Sequence, residues 1–283
     1  MTNTPISDVS DTALWVAAFR AKESARPDAL YSDPLAEVLS GERGMAIARE
    51  MPYPKILAWL MAVRTVAIDR LIFEAIKAGV DTVINIGAGL DTRPYRLDLP
   101  NDLNWIEVDF PHMIELKNAK LASSKPRCRL SRFGLDVSNR SVANKLYQEI
   151  GAKTKNALVI TEGVIAYLSN DEAGYLAEDL RKIPSFRFWI QDYRKNGRSM
   201  RHPQKLKRKL KNAPFLFSHP DQIDFFASFG WQVRSDIKAV DEGERLGRPF
   251  PIALPWLLLA LFIPKGRREA MREAMGYVLF EAV

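Results

Sequence analysis

Thr82-Val-Ile-Asn-Ile-Gly-Ala-Gly-Leu-Asp-Thr92 decides the fold. Five residues of apolar, largely β-branched character are what a strand buried on both faces of a parallel sheet requires. The glycines that follow at once, Gly87 and Gly89, permit a tight turn and let a ligand approach the backbone closely. The same texture recurs downstream, in Trp105-Ile-Glu-Val-Asp109, more weakly in Arg129 to Leu135, and strongly in Ala157-Leu-Val-Ile-Thr161. Helical spacing fills the intervals over Pro111 to Ser123, Asn139 to Ile150 and Asp171 to Ile183, the last with Asn170 as its N-cap. Strands alternating with helices predict an α/β fold with a doubly wound, mostly parallel sheet. Phe186 to Gln191, Trp231 to Arg234 and Gly276 to Glu281 complete seven strands, with a helix over Pro220 to Phe229.

Upstream of Gly79 nothing reads as a strand. Asp11 opens a helical run through Phe19, Asp33-Pro34 opens another through Leu39, and Tyr53 to Lys77 carries apolar residues at helical spacing. With 283 residues and no Pro- or Gly-rich linker between halves, the reading is a single domain. Residues 1–78 form a helical N-terminal cap, 79–190 the cofactor-binding core, and 191–283 a substrate-side segment with the terminal strands.

In an open parallel sheet, ligands bind beyond the carboxyl ends of the strands where strand order reverses. The residues just after each strand are therefore the candidates. Gly87 and Gly89 follow strand one. Asp109 ends strand two, 22 residues beyond Gly87, where a carboxylate can accept from both ribose hydroxyls. Asp136 follows strand three, placed to accept from an adenine amino group, and Glu162 follows strand four. A dinucleotide needs a third glycine and a helix N-terminus open to pyrophosphate. Thr92 stands there instead, and Asp91 sets a negative charge beside any anion. S-adenosylmethionine carries no phosphate and is a sulfonium cation, so an acid-lined turn suits it.

These segments resemble the leucine carboxyl methyltransferase family of class I S-adenosylmethionine-dependent methyltransferases, including its bacterial members acting on small molecules. The matching residues are Arg20-Ala-Lys-Glu-Ser24 with Asp33-Pro34, Arg64, Ile86-Gly-Ala-Gly-Leu-Asp-Thr92, Glu107-Val-Asp-Phe-Pro111, Leu135-Asp136 and Thr161-Glu-Gly163 with Tyr167. The resemblance spans about Asp11 to Trp189. It implies that Lys22 and Arg64 bind the cofactor carboxylate, Gly87 lies beneath it, Asp109 holds the ribose, Asp136 the adenine side and Glu162 the methionine side. It also implies that Tyr167 contacts the substrate.

Composition narrows the rest. Cys128 is the lone cysteine and the histidines are His112, His202 and His219, so no internal disulfide forms and no cluster has metal-ligand spacing. Met1 to Asp11 has neither a basic nor an apolar signal region, which leaves the cytoplasm as the expected location. The apolar stretch 249–264 is broken by Pro251 and Pro255 and is too short to span a bilayer. The net charge of +7 is local: nine basic residues and no acidic one lie between Tyr193 and Lys211. Such a run is either a solvated helix face or a patch that steers an anionic substrate. It lacks the interleaved aromatics of a nucleic-acid surface.

A carboxylate acceptor is ionised at neutral pH, whereas a phenol needs a base. No histidine sits at an expected strand end, and this scarcity favours O-methylation of a small acidic metabolite on its carboxylate. The alternatives are a phenol or hydroxyl acceptor with His202 or His219 as base, an RNA methyltransferase, and a protein that binds S-adenosylmethionine without turnover. Thr161-Glu-Gly-Val stands where amino-directed nucleic-acid enzymes usually carry Asn/Asp-Pro-Pro-aromatic. Oligomeric state is not legible.

Overall fold

The computed structural model describes residue 6 and residues 8–195, 204–251 and 264–283. Three helices precede the first strand: α1 (Ser10–Ser24), α2 (Ala36–Glu50) and α3 (Pro54–Lys77). The run opened by Asp33-Pro34 continues well past Leu39, because Gly41 takes φ +56° and kinks α2 instead of ending it. α3 ends as expected, with Gly79 at φ +93° in the left-handed region that a side chain resists.

A seven-stranded sheet follows, in the order β3-β2-β1-β4-β5-β7-β6. Its strands are β1 (Thr82–Ile86), β2 (Asn104–Asp109), β3 (Arg129–Gly134), β4 (Ala157–Thr161), β5 (Phe186–Arg194), β6 (Trp231–Lys238) and β7 (Met275–Ala282). The pairs among β1 to β5 are parallel, and β7 runs antiparallel between β5 and β6. All five residues of β1 and of β4 are buried, as their unbroken apolar runs require. β3 is one of the two edge strands, and its alternating half-exposed pattern is why its sequence reads weakly.

Short helices link the strands: α4 (Arg93–Arg96), α5 (Pro111–Lys120), α6 (Arg140–Gly151), α7 (Asn170–Arg181), α8 (Gln204–Lys209), α9 (Gln222–Ala227), α10 (Ala239–Arg245) and α11 (Lys265–Arg272). Ser169, not Asn170, caps α7. Ser169-Asn-Asp-Glu172 is a capping box in which the serine side chain accepts from the Glu172 amide while Glu172 accepts from the Ser169 amide at 2.7 Å.

Each face of the sheet is covered. On one side Ile68, Leu71 and Ile72 of α3 meet Val83, Leu158 and Ile190. On the other, Tyr147 of α6, Ala177 of α7 and Phe226 of α9 meet Val159, Trp189 and Phe280. The alternation of Ile190 and Trp189 between the two layers is the two-residue period of a strand. α3 thus does double duty: its C-terminal half packs on the sheet, while Leu57, Met61 and Arg64 near its start line a cavity under α1. Trp15 and Phe19 of α1 join Ile47 of α2 and Met61 of α3 in a separate apolar cluster that also takes in Leu210 and, partly buried, Phe215. Among the described residues, no helix is long and apolar enough to cross a membrane. The stretch 249–264 lies mostly outside the described residues, as do 196–203 of the basic run.

Candidate active site

Strand order reverses between β1 and β4, and the loops leaving those two strands meet over the crevice. Gly87 has φ +67°, and a Cβ built there would fall 2.5 Å from Val164 Cγ2, so only glycine fits. The Gly87 amide donates to the Val108 carbonyl at 2.8 Å, tying the turn to β2. Above the crevice is a cavity of about 590 Å³, mid-range for small-molecule sites.

Asp109 braces the turn from the next strand. Its Oδ2 accepts from the Gly89 amide at 2.6 Å and its Oδ1 from the Phe110 amide at 2.7 Å. Each oxygen keeps a second lone pair for a ligand hydroxyl. Burial raises its carboxyl above the usual range, and the two amides oppose that. Asp136 stands at the rim, exposed, with its Oδ1 accepting from the Ser138 amide at 2.9 Å.

Glu162 is clamped between two arginines. Arg64 Nε lies 2.8 Å from its Oε1, and Arg93 Nη1 donates to its Oε2 at 2.7 Å. Burial pushes this carboxyl up, but Arg93 and Arg64 outweigh burial and hold it below the carboxylate range. Arg93 itself is buried and also bonds Asp69 Oδ1 at 2.6 Å and Asp91 Oδ2 at 2.9 Å. Asp91, further bonded by Asn85 Nδ2 at 2.8 Å, stays far below its ordinary value against the cost of burial. Arg93 therefore offsets the charge of Asp91 beside the glycine turn.

The sequence placed Lys22 with Arg64 at the cofactor carboxylate; the structure does not bring them together. Lys22 is exposed, with its ammonium 5.3 Å from the centre of the Phe19 ring, and it does not line the cavity. Arg20 lines it instead. Two residues along a helix are about 200° apart around the axis, so Arg20 and Lys22 face opposite ways. Arg20 Nε donates to Asp33 Oδ2 at 2.9 Å, its Nη2 donates to the Leu90 carbonyl, and Thr92 Oγ1 donates to the same Asp33 oxygen at 2.7 Å. Asp33 thereby fastens α1 to the turn after β1.

Arg64, Gly87, Gly89, Asp109, Asp136, Glu162 and Tyr167 all line the one cavity. Tyr167 packs on Phe215 with ring centres 5.3 Å apart, and burial raises its hydroxyl above the ordinary value. His219, the alternative base, does not line it; its Nδ1 sits 2.6 Å from the Asp221 carbonyl oxygen, a hydrogen bond that turns the ring to its own loop. His202 lies outside the described residues. Lys205 and Arg208 of α8 are exposed, while Leu206 and Leu210 turn inward to line the cavity roof. Among the described residues, no group of three or more His, Cys, Asp or Glu could hold a metal ion.

Sequence reasoning missed Arg93, Asp192 and Tyr277. Asp192 continues the pattern of acids at strand ends: it lies near the end of β5, accepts from the Gly163 amide at 2.6 Å, and is 3.7 Å from Arg64 Nη1. Burial lifts its carboxyl above the ordinary range against the pull of Arg64. Because β5 runs three residues beyond its expected end at Gln191, the residue just after that end was there to be read.

The chain matches the sequence profile of the leucine carboxyl methyltransferase family over residues 13–180. It is 30% identical over 270 residues to a candidate S-adenosyl-L-methionine-dependent methyltransferase of Mycolicibacterium paratuberculosis, covering 86% of this chain and 85% of the relative. A similarly described relative in Parafrankia sp. is 28% identical over 268 residues, covering 87% and 84%. Among solved structures, a candidate methyltransferase from Thermobifida fusca superposes with a TM-score of 0.59 at 14% identity, covering 99% of this chain and 96% of that one. A DUF574-family protein from Streptomyces avermitilis gives 0.55 at 16% identity, covering 94% and 97%.

Proposed function

This chain belongs to the leucine carboxyl methyltransferase family, and on that premise we propose that it methylates a small acidic metabolite on its carboxylate oxygen. It is an S-adenosylmethionine-dependent methyltransferase by family and by its relatives. The residues fit that cofactor. Asp109 offers lone pairs to the ribose hydroxyls, Asp136 stands on the adenine side, and Gly87 admits the methionine part. Glu162, kept ionised by Arg64 and Arg93, suits an ammonium group. Arg64, shared between Glu162 and Asp192, is the cation for the cofactor carboxylate. Arg20 is committed to Asp33 and the Leu90 carbonyl.

When bound, S-adenosylmethionine supplies an electrophilic methyl on a sulfonium, open to in-line displacement. The chain's own task is to hold the acceptor in line and keep water out. α1 and the start of α3 do the second with Trp15, Val16, Leu57 and Met61, joined by Leu206 and Leu210 from the α8 segment.

One observation carries the choice of acceptor: among the described residues no histidine lines the cavity. Tyr167 is raised by burial and Glu162 is held acidic by two arginines, so neither is a ready base at neutral pH. A carboxylate needs none. A hydroxyl acceptor is the second reading, favoured by the raised carboxyl of Asp192, which would then replace the histidines as base. S-adenosylhomocysteine release across matched carboxylic acids and phenols separates the two. Turnover of acids supports the carboxylate reading, and turnover confined to phenols, abolished by Asp192→Asn, replaces it.

A further inference from the structure

At the β5–β7 end of the cavity, Tyr277 is 2% exposed, yet its hydroxyl has no hydrogen-bond partner in the protein. It stands directly across the sheet from Asp192, in the register that also pairs Arg194 with Met275. All four residues line the cavity. A buried hydroxyl without a partner forfeits the hydrogen bonds it had in water, so a phenylalanine would be the cheaper residue for packing alone. Burial also drives the hydroxyl above its ordinary value, with Arg64 pulling down and Asp192 and Glu162 pushing up. It remains a proton donor at any physiological pH. Its cross-strand neighbour Asp192 lies 3.7 Å from Arg64, which sets this end of the cavity beside the Arg64–Glu162 clamp.

Trp15, Leu57, Met61, Leu206 and Phe215 give the same cavity apolar surface without a charge, and Trp15 Nε1 is the one nitrogen or oxygen among their side chains. A ligand filling this space needs an apolar body and one polar end at the β5–β7 floor.

Resting on the carboxylate reading above, we propose that Tyr277 is the acceptor-selecting residue, donating its hydroxyl hydrogen to the carboxylate of an acid with an apolar acyl or aryl body. The carboxylate keeps its remaining lone pairs for the methyl, because one neutral donor orients the group without quenching its charge.

The test is calorimetric titration of the protein saturated with S-adenosylhomocysteine, using octanoate and 4-phenylbutyrate against octanamide and 4-phenylbutyramide. Wild type is expected to bind each acid roughly tenfold or more tighter than its amide, the scale of one hydrogen bond to a charged group. Tyr277→Phe is expected to erase that preference, leave S-adenosylhomocysteine affinity unchanged, and unfold at the same temperature as wild type or higher. No acid preference in wild type, no binding of either class, a preference that survives in Tyr277→Phe, or a variant that loses stability would each overturn the assignment. Turnover of the same acids is scored separately. Acids that bind through Tyr277 while only phenols are methylated would leave the subsite standing and remove the carboxylate acceptor.

Discussion

Replacing Asp109 by alanine separates its two jobs. In the folded protein its oxygens accept from the amides of Gly89 and Phe110, at 2.6 and 2.7 Å. The Phe110 amide is at an exposed residue and recovers its bond with water, whereas the Gly89 amide is partly buried beneath the turn. Leaving one such donor unsatisfied costs about 1–3 kcal/mol. Against this, burial raises the carboxyl above its ordinary value, so part of that loss returns when the charge is removed. We therefore expect Asp109→Ala to lower unfolding free energy by about 1 kcal/mol, at the bottom of that range. Cofactor binding should suffer more, because the ribose loses hydrogen bonds to a charged group worth about 1.5–3 kcal/mol. This corresponds to a roughly 10- to 150-fold rise in the dissociation constant. Urea denaturation gives the first quantity and titration with S-adenosylhomocysteine the second. An unchanged dissociation constant in a folded variant would refute the placement of the ribose at Asp109.

Three further outcomes follow from the same contacts. Gly87→Ala forces a side chain into φ +67° and to 2.5 Å from Val164 Cγ2; a loss of about 2–4 kcal/mol from left-handed strain and overpacking, read by urea denaturation, is expected with loss of cofactor binding. Asp33→Ala strands the buried Arg20 guanidinium and frees Thr92, and should cost about 3–5 kcal/mol, read as a lower unfolding temperature; a change below 1 kcal/mol would mean the pair does not anchor α1. Asp91 and Glu162 are held below their ordinary range in the folded state, so the stability they contribute is present above about pH 4–4.5 and is lost as pH falls further. Acid unfolding should shift to higher pH in Arg93→Met, which removes the shared cation.

The sheet was legible because its central strands are apolar runs, and the cavity-lining acids Asp109 and Glu162 because one ends and the other follows a readable strand. Lys22 reads as well as Arg20 because two cations stand two residues apart and nothing local tells which faces inward; Asp33, which holds Arg20 against the turn after β1, accepts from Arg20 and Thr92. Arg93 was invisible for a related reason: its partners Asp69, Asp91 and Glu162 come from three separate stretches and meet only in the fold. Tyr277 reads in sequence as one more aromatic in a strand, and what distinguishes it is a hydroxyl without a partner on a residue that lines the cavity.

The chemistry of the acceptor is read most directly from the fate of the transferred methyl. The protein is incubated with methyl-labelled S-adenosylmethionine and an equimolar mixture of 4-phenylbutyrate, octanoate and 4-propylphenol, and the labelled product is then treated with mild base. Label is expected to be released as volatile methanol, the signature of a methyl ester. Label retained in a base-stable methyl ether would contradict it.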